Sequence, residues 1–153
     1  MEIVNFRKNE ALFRQGEIAT NMYEIVTGQV GIYMDYGEES QKELGILGEG
    51  DFVGEIELID SSTRIASAVA ITPETTAKKL TIEDFNAYMR ENPAKVIVII
   101  QQIGARMRRL DNYFLDACKT IDEYRKCEES KLPKSPSLMA RLKRFSAVVR
   151  KRG

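Results

Sequence analysis

In the stretch GEIELIDSSTRIAS, residues 54–67, a carboxylate at Glu55 and a guanidinium at Arg64 stand either side of a short apolar turn. The plain reading is a surface ion pair, worth about 0–1 kcal/mol. The other reading is an anion site. A helix that begins at or near Gly54 aims its free backbone N–H groups and the positive end of its dipole at whatever lies beyond. Gly54 allows close backbone approach, and Gly48 and Gly50 allow the tight turn that delivers the chain there. After one helical turn and the polar loop Ser61-Ser62-Thr63, Arg64 can return over the helix start and offer a fork of donors to two phosphate oxygens. A phosphate repels Glu55, whose natural partner is then a hydroxyl that donates to it.

The elements that must hold these residues change character along the chain. The first eighty residues read as short β-strands punctuated by glycine: Ile3–Phe6, Ala11–Phe13, Tyr23–Val26, a strand from Val30, a segment from Leu44 to Phe52, Ala66–Ile71 and Ala77–Leu80. Val30, Ile32, Met34 and Tyr36 alternate at period two, as on a half-buried strand. Many short strands with regular turns predict a β barrel or double-sheet roll. Thr81 and Asp84 then form the pattern of a capping box before a short helix, and Pro93 opens a second, longer one. Along it Val96, Ile100, Ile103, Met107, Leu110, Phe114, Ala117, Ile121 and Tyr124 recur at alternating spacings of four and three. That is a heptad seam on a helix of roughly 30 residues, about 45 Å long. A helix lying on its own barrel accounts for part of it, and a two-stranded homodimer contact accounts for the rest. The expected organisation is residues 1–92 as a β-roll with a short helix, 93–128 as a long helix, and 129–153 as a basic, proline-containing tail.

Composition narrows the function classes. The 153 residues contain no histidine, which removes histidine-based nucleophile pairs and the commonest metal ligand. Cys118 and Cys127 form no metal or redox motif. No nucleophile–base pair or metal cluster is visible, so no enzyme activity and no cofactor are expected. The N-terminal residues lack an apolar signal-peptide region, and no apolar run approaches the roughly 20 residues of a membrane span, so the expected location is the cytoplasm. The 23 basic and 23 acidic residues are unevenly spread. From Lys131 onward there are eight basic residues and no acidic ones, leaving residues 1–130 with a net charge of −8. Leu138, Leu142, Phe145 and Val149 share one face if this tail is helical. Its chemistry suits a solubilising tail, a protein partner, an anionic membrane or a nucleic acid, and its spacing does not separate these. It is too short for a helix-turn-helix, so no sequence-specific DNA binding is expected.

A hydroxyl beside a singly charged phosphodiester on one small ring is the signature of a cyclic nucleotide. From about Phe6 to Leu110 the chain resembles the cyclic nucleotide-binding domain family. The matching pieces are Leu12-Phe13-Arg14-Gln15-Gly16-Glu17, the run Met22 to Val30, the run Leu47 to Glu55, and Arg64-Ile65-Ala66-Ser67. The resemblance implies a mainly β fold, a jelly-roll barrel flanked by helices, with a phosphate-binding cassette at residues 54–67. It implies that Glu55 takes the ribose hydroxyl and Arg64 the cyclic phosphate, with backbone N–H groups at Gly54, Ile56 and Ala66 completing the cradle. It further implies a base lying against Leu44 and Gly45, capped near Leu110 or Asp111, with Arg106 behind Glu55. Glu57 replaces a usually small residue, Thr63 a common proline, and Ile65 a small or hydroxyl-bearing one. Lacking the hydroxyl associated with cGMP selectivity, Ile65 favours cAMP. The function expected is a non-catalytic, dimeric cyclic-nucleotide sensor, or alternatively a barrel that has lost its ligand and serves as a partner-binding scaffold. In the scaffold, Glu55 and Arg64 would pair with each other.

Overall fold

The computed structural model describes the backbone of residues 1–149 and the side chains of residues 1–144. The predicted roles of Phe145, Val149, Arg150, Lys151 and Arg152 lie outside the described side chains. Two compact units are present, residues 1–100 and the remainder from residue 101.

The first unit is a roll of two four-stranded antiparallel sheets. Its strands are β1 (Glu2–Arg7), β2 (Ala11–Phe13), β3 (Met22–Thr27), β4 (Val30–Met34), β5 (Lys42–Leu47), β6 (Phe52–Val53), β7 (Ser67–Ala70) and β8 (Glu74–Leu80). One sheet has the order β1-β8-β3-β6 and the other β2-β7-β4-β5. Chain neighbours β1 and β2 therefore belong to different sheets, as do β7 and β8, which is the strand-switching of a jelly roll. All eight strands contribute to one core: Phe6, Leu12, Phe13, Tyr23, Ile25, Val30, Leu47, Val53, Ala68, Ala70 and Ala77. Alternation holds where one face meets this core, as in β8, whose Thr75 and Ala77 are buried while Thr76 and Lys78 are not. β4 keeps the predicted face where Val30 enters the core and Ile32 packs against it, and it pairs with β7 without a break. The register shift in its pairing with β5 places the extra residue, Leu44, on β5. The strand ends at Met34, leaving Tyr36 of the predicted alternation in the following turn.

Two helices complete the unit and a third leaves it. Helix α1 (Glu55–Ile59) lies in the predicted cassette. Helix α2 (Ile82–Glu91) starts on the capping box read from the sequence: the Asp84 amide donates to Thr81 Oγ1 at 3.2 Å, and the Thr81 amide donates to the Asp84 carboxylate at 3.3 Å. Helix α3 (Pro93–Glu129) runs unbroken for 37 residues, and the division between the two units falls within it.

One buried carboxylate joins these helices to the sheet. Glu24 on β3, 3% exposed, accepts from Lys78 Nζ on β8 at 3.0 Å, from the Tyr88 hydroxyl on α2 at 2.9 Å and from Lys95 Nζ on α3 at 2.5 Å. Burial pushes its pKa up, but the hydrogen bonds from Lys95, Lys78 and Tyr88 outweigh burial and hold it below the ordinary glutamate range.

In the second unit, helix α4 (Pro136–Val149) folds back on the C-terminal half of α3. Lys134 pairs with Glu128, Arg141 with Glu123, and Arg144 with Asp116. The partner numbers fall as the residue numbers rise, so the two helices run antiparallel. Leu138 and Thr120 are fully buried in this hairpin. The basic tail thus contains a docked helix, and Lys134, Arg141 and Arg144 are seated on acidic residues of α3, pairings that spacing within the tail did not show.

Candidate functional site

The cassette begins at a turn that closes on itself. The Gly48 amide donates to Asp51 Oδ2 at 2.8 Å, the Asp51 amide to the Gly48 carbonyl at 3.0 Å, and the Gly50 amide to the Ile25 carbonyl at 2.9 Å. This sends the chain into the fully buried pair Phe52 and Val53 of β6, which add to the edge of β3. Gly54 then turns left-handed, with φ 77° and ψ 16°. A Cβ there would stand 2.5 Å from Arg64 Nη1 and 2.9 Å from Phe13 Cε1. Two demands therefore converge on glycine at this position: the backbone conformation and the room for a guanidinium.

After α1 the chain reverses at Ser61, whose φ is 57°. The Ser62 amide donates to the Glu57 carbonyl at 3.0 Å and to Asp60 Oδ1 at 3.0 Å. Thr63 bridges to Ile18, and the Arg64 amide donates to the Glu17 carbonyl at 2.8 Å. Those backbone contacts fix where the Arg64 side chain starts, and it returns over Gly54 as the spacing predicted.

The two charged residues singled out by their spacing are both buried, Glu55 at 1% and Arg64 at 3% exposure. A surface ion pair is therefore excluded. Arg64 differs from expectation in where its donors go. Nη1 donates to the Gly54 carbonyl at 2.8 Å and lies 3.5 Å from Glu57 Oε2. Nη2 donates to the Asn21 carbonyl. The guanidinium carbon sits 4.0 Å from the centre of the Phe13 ring. Nε is buried without a hydrogen-bond partner. Burial pushes the Arg64 pKa down, and Glu57 acts against that shift. The ion pair that Arg64 makes is with Glu57.

The other predicted positions are distributed as follows. Ala66 is buried beside Arg64, while Ile56 on α1 and Ile65 are 41% and 65% exposed. Leu44 and Gly45 lie on β5, the former exposed, with Gly45 opposite Ile32 of β4. Arg106, Leu110 and Asp111 belong to the part of α3 in the second unit, with Arg106 half-buried and the other two exposed. The sequence reading gave no role to Phe13 or Asn21, and treated Glu57 only as a residue larger than usual. Phe13 lies in a matching motif, but a ring beneath a guanidinium leaves no spacing signature. Asn21 contributes a backbone carbonyl, which residue type does not report.

Among the described residues no group of three metal-ligating side chains converges, and no helix is long and apolar enough to cross a membrane.

Known proteins resemble this chain in sequence and in fold. The family model for the cyclic nucleotide-binding domain matches residues 3–92. The cyclic AMP receptor protein of Thermus thermophilus is 28% identical over 106 residues, covering 69% of this chain and 49% of that protein. Lysophospholipase NTE1 of Coccidioides immitis is 31% identical over 110 residues, covering 72% of this chain but only 7% of that protein. The crystal structure of the Thermus thermophilus catabolite activator protein superposes with a TM-score of 0.65 at 27% identity, covering 80% of this chain and 56% of that one. The chain thus spans about half the length of the receptor protein and a small part of the lysophospholipase. The roll, the buried charges at residues 55 and 64, and a family match that contains both lead to one assignment: the chain belongs to the cyclic nucleotide-binding domain family.

Proposed function

We infer that the chain is a non-catalytic cyclic-nucleotide sensor, with cAMP as its preferred ligand and a second copy of itself as partner. The observation that carries the reading is the burial of Glu55 and Arg64 in one cassette, with Arg64 Nε left without an acceptor. A buried, unsatisfied donor on a charged group costs about 1–3 kcal/mol or more, and a phosphate oxygen would relieve it. Glu55 is then the acceptor for a ribose hydroxyl. The apolar Ile65 side chain at the cassette offers guanine no hydroxyl, which supports cAMP over cGMP. The absence of histidine from the sequence supports a binding role rather than catalysis, and a cytoplasmic location accords with it. The ligand drives a response only through different affinities for two arrangements of the protein, and α3, which starts beside the Glu24 cluster, is the element we assign to that response.

Titration calorimetry with cAMP and cGMP tests the reading. Wild-type protein is expected to give heat with cAMP, and Arg64→Ala to weaken binding by about a hundredfold or more, the scale of losing one partner of a buried charge contact. No heat from wild type at millimolar nucleotide would overturn it.

One observation favours the ligand-free scaffold as a second reading: Arg64 already has internal acceptors in Gly54, Asn21 and Glu57. It predicts no nucleotide heat from wild type or from any cassette variant.

A further inference from the structure

We propose that Glu57 is a built-in competitor for the ligand phosphate, a carboxylate that occupies Arg64 until a cyclic nucleotide displaces it. The proposal rests on the sensor reading above and says what sets the affinity of that same site.

The cassette already holds one buried pair of opposite charges. Glu57 and Arg64 are 8% and 3% exposed, and the carboxylate of one faces the guanidinium of the other. A phosphodiester anion set against Arg64 would bring two negative charges, its own and that of Glu57, onto the same guanidinium. Uncompensated charge in a poorly hydrated site is strongly unfavourable. Phosphate and Glu57 carboxylate therefore compete for Arg64, and the nucleotide binds when Glu57 withdraws.

Geometry makes the exchange feasible. Glu57 Oε2 stands 3.5 Å from Nη1, longer than the roughly 2.7–2.9 Å of a strong charge-assisted hydrogen bond. Nη1 keeps its shorter contact, 2.8 Å, with the Gly54 carbonyl. Glu57 thus supplies a counter-charge held by proximity rather than by a tight bidentate clasp. The buried Nε is the donor held in reserve. A phosphate oxygen meeting Nε and another replacing Glu57 at Nη1 would satisfy the guanidinium more completely than the present arrangement does. Glu57 also lies on α1, so its withdrawal removes a contact that ties this helix to Arg64.

The competition has two measurable sides. It keeps the empty cassette folded, because Arg64 is never left without a counter-ion, and it weakens nucleotide binding by the free energy needed to break the pair. Calorimetry of the full chain with cAMP, comparing wild type with Glu57→Gln and Glu57→Ala, reads one side; thermal unfolding without ligand reads the other. Both variants are expected to bind cAMP at least tenfold more tightly than wild type while melting at a lower temperature, with saturating cAMP restoring the loss. Glu57→Gln removes the charge yet keeps a hydrogen-bond acceptor near Arg64, so it carries the test if the alanine variant is too unstable. A purely structural Glu57 would lower melting temperature without tightening binding. If wild type binds cAMP and Glu57→Gln binds it equally or more weakly, competition is overturned and the sensor reading stands. If folded wild type and both variants give no heat, both fall. On unaltered protein, a structure with saturating cAMP is expected to show Glu57 withdrawn from Arg64, and a retained Glu57–Arg64 pair beside bound nucleotide would also overturn the proposal.

Discussion

Gly54 carries more of the site than its size suggests. It supplies the left-handed turn, the space for the Arg64 guanidinium, and through its carbonyl one of that group's acceptors. Gly54→Ala imposes a left-handed conformation on a residue with a Cβ, at about 1–2 kcal/mol, before the 2.5 Å approach to Nη1 is counted. Urea denaturation is expected to show a loss of at least that size, and titration to show loss of cAMP binding because Arg64 must leave its seat. An unchanged denaturation midpoint would refute this. At this scale the sequence was partly legible. Residue type and spacing located Glu55, Gly54 and Arg64, because a charge and a glycine advertise themselves. They could not show that Arg64 is seated on two carbonyls and an aromatic ring, since backbone oxygens belong to every residue and the Phe13 ring reaches Arg64 from 51 positions away.

Among the elements, strand boundaries near glycines and the helix start at Thr81 could be read directly, because turns and caps have local chemistry. The Glu24 cluster could not. Its partners at positions 78, 88 and 95 come from three different elements, and only the folded roll brings them to β3. This cluster ties the start of α3 to the same strand that pairs with Phe52 and Val53 just before the cassette. Lys95 Nζ lies 5.8 Å from the Phe52 ring as well as on Glu24, so α3 and the entry to the site share a contact. Because folding lowers the Glu24 pKa, its contribution is fully present above the unfolded-state value, near the ordinary 4.5, and is lost as pH falls through the folded value below that. Glu24→Gln is expected to cost about 1–2 kcal/mol at pH 7, discounted for the partly exposed lysines, and the gap from wild type should close on acidification below pH 4.5. Denaturant midpoints measured from pH 7 to pH 3 check it; a gap that widens toward acid contradicts the assigned role.

For the whole molecule, the question is what covers α3. Met107, Leu110 and Phe114 on the heptad seam are 60%, 68% and 64% exposed, and Val96, Ile100 and Ile121 are exposed as well. Docking of α4 does not hide this seam. The α3 residues that pair with it or lie buried, Asp116, Thr120 and Glu123, fall on one helical face, whereas Phe114, Ala117 and Ile121 are centred roughly 130° around the helix. A symmetric pairing of two such seams buries Phe114 twice, worth about 3–6 kcal/mol, so Phe114→Glu is expected to raise the dimer dissociation constant by at least about a hundredfold. Sedimentation at micromolar concentration reads this directly, and a wild-type chain that sediments as a monomer rejects the dimer. The seam was legible because heptad spacing is a property of the sequence alone. The flank taken by α4 was not, because it depends on acids and bases that meet only when the chain turns back at residues 130–135.

The ion pairs of that hairpin alter how the protein looks from a distance. A net −8 over residues 1–130 followed by eight unopposed positive charges describes a strongly polarised string when read along the chain. Folding back sets Lys134, Arg141 and Arg144 each against a carboxylate. Beyond a Debye length, about 8 Å in physiological salt, each such couple presents a local dipole in place of a monopole. These three tail charges thus lend little to any long-range pull on a polyanion, and the polarity written into the sequence becomes a short-range adhesive between two helices.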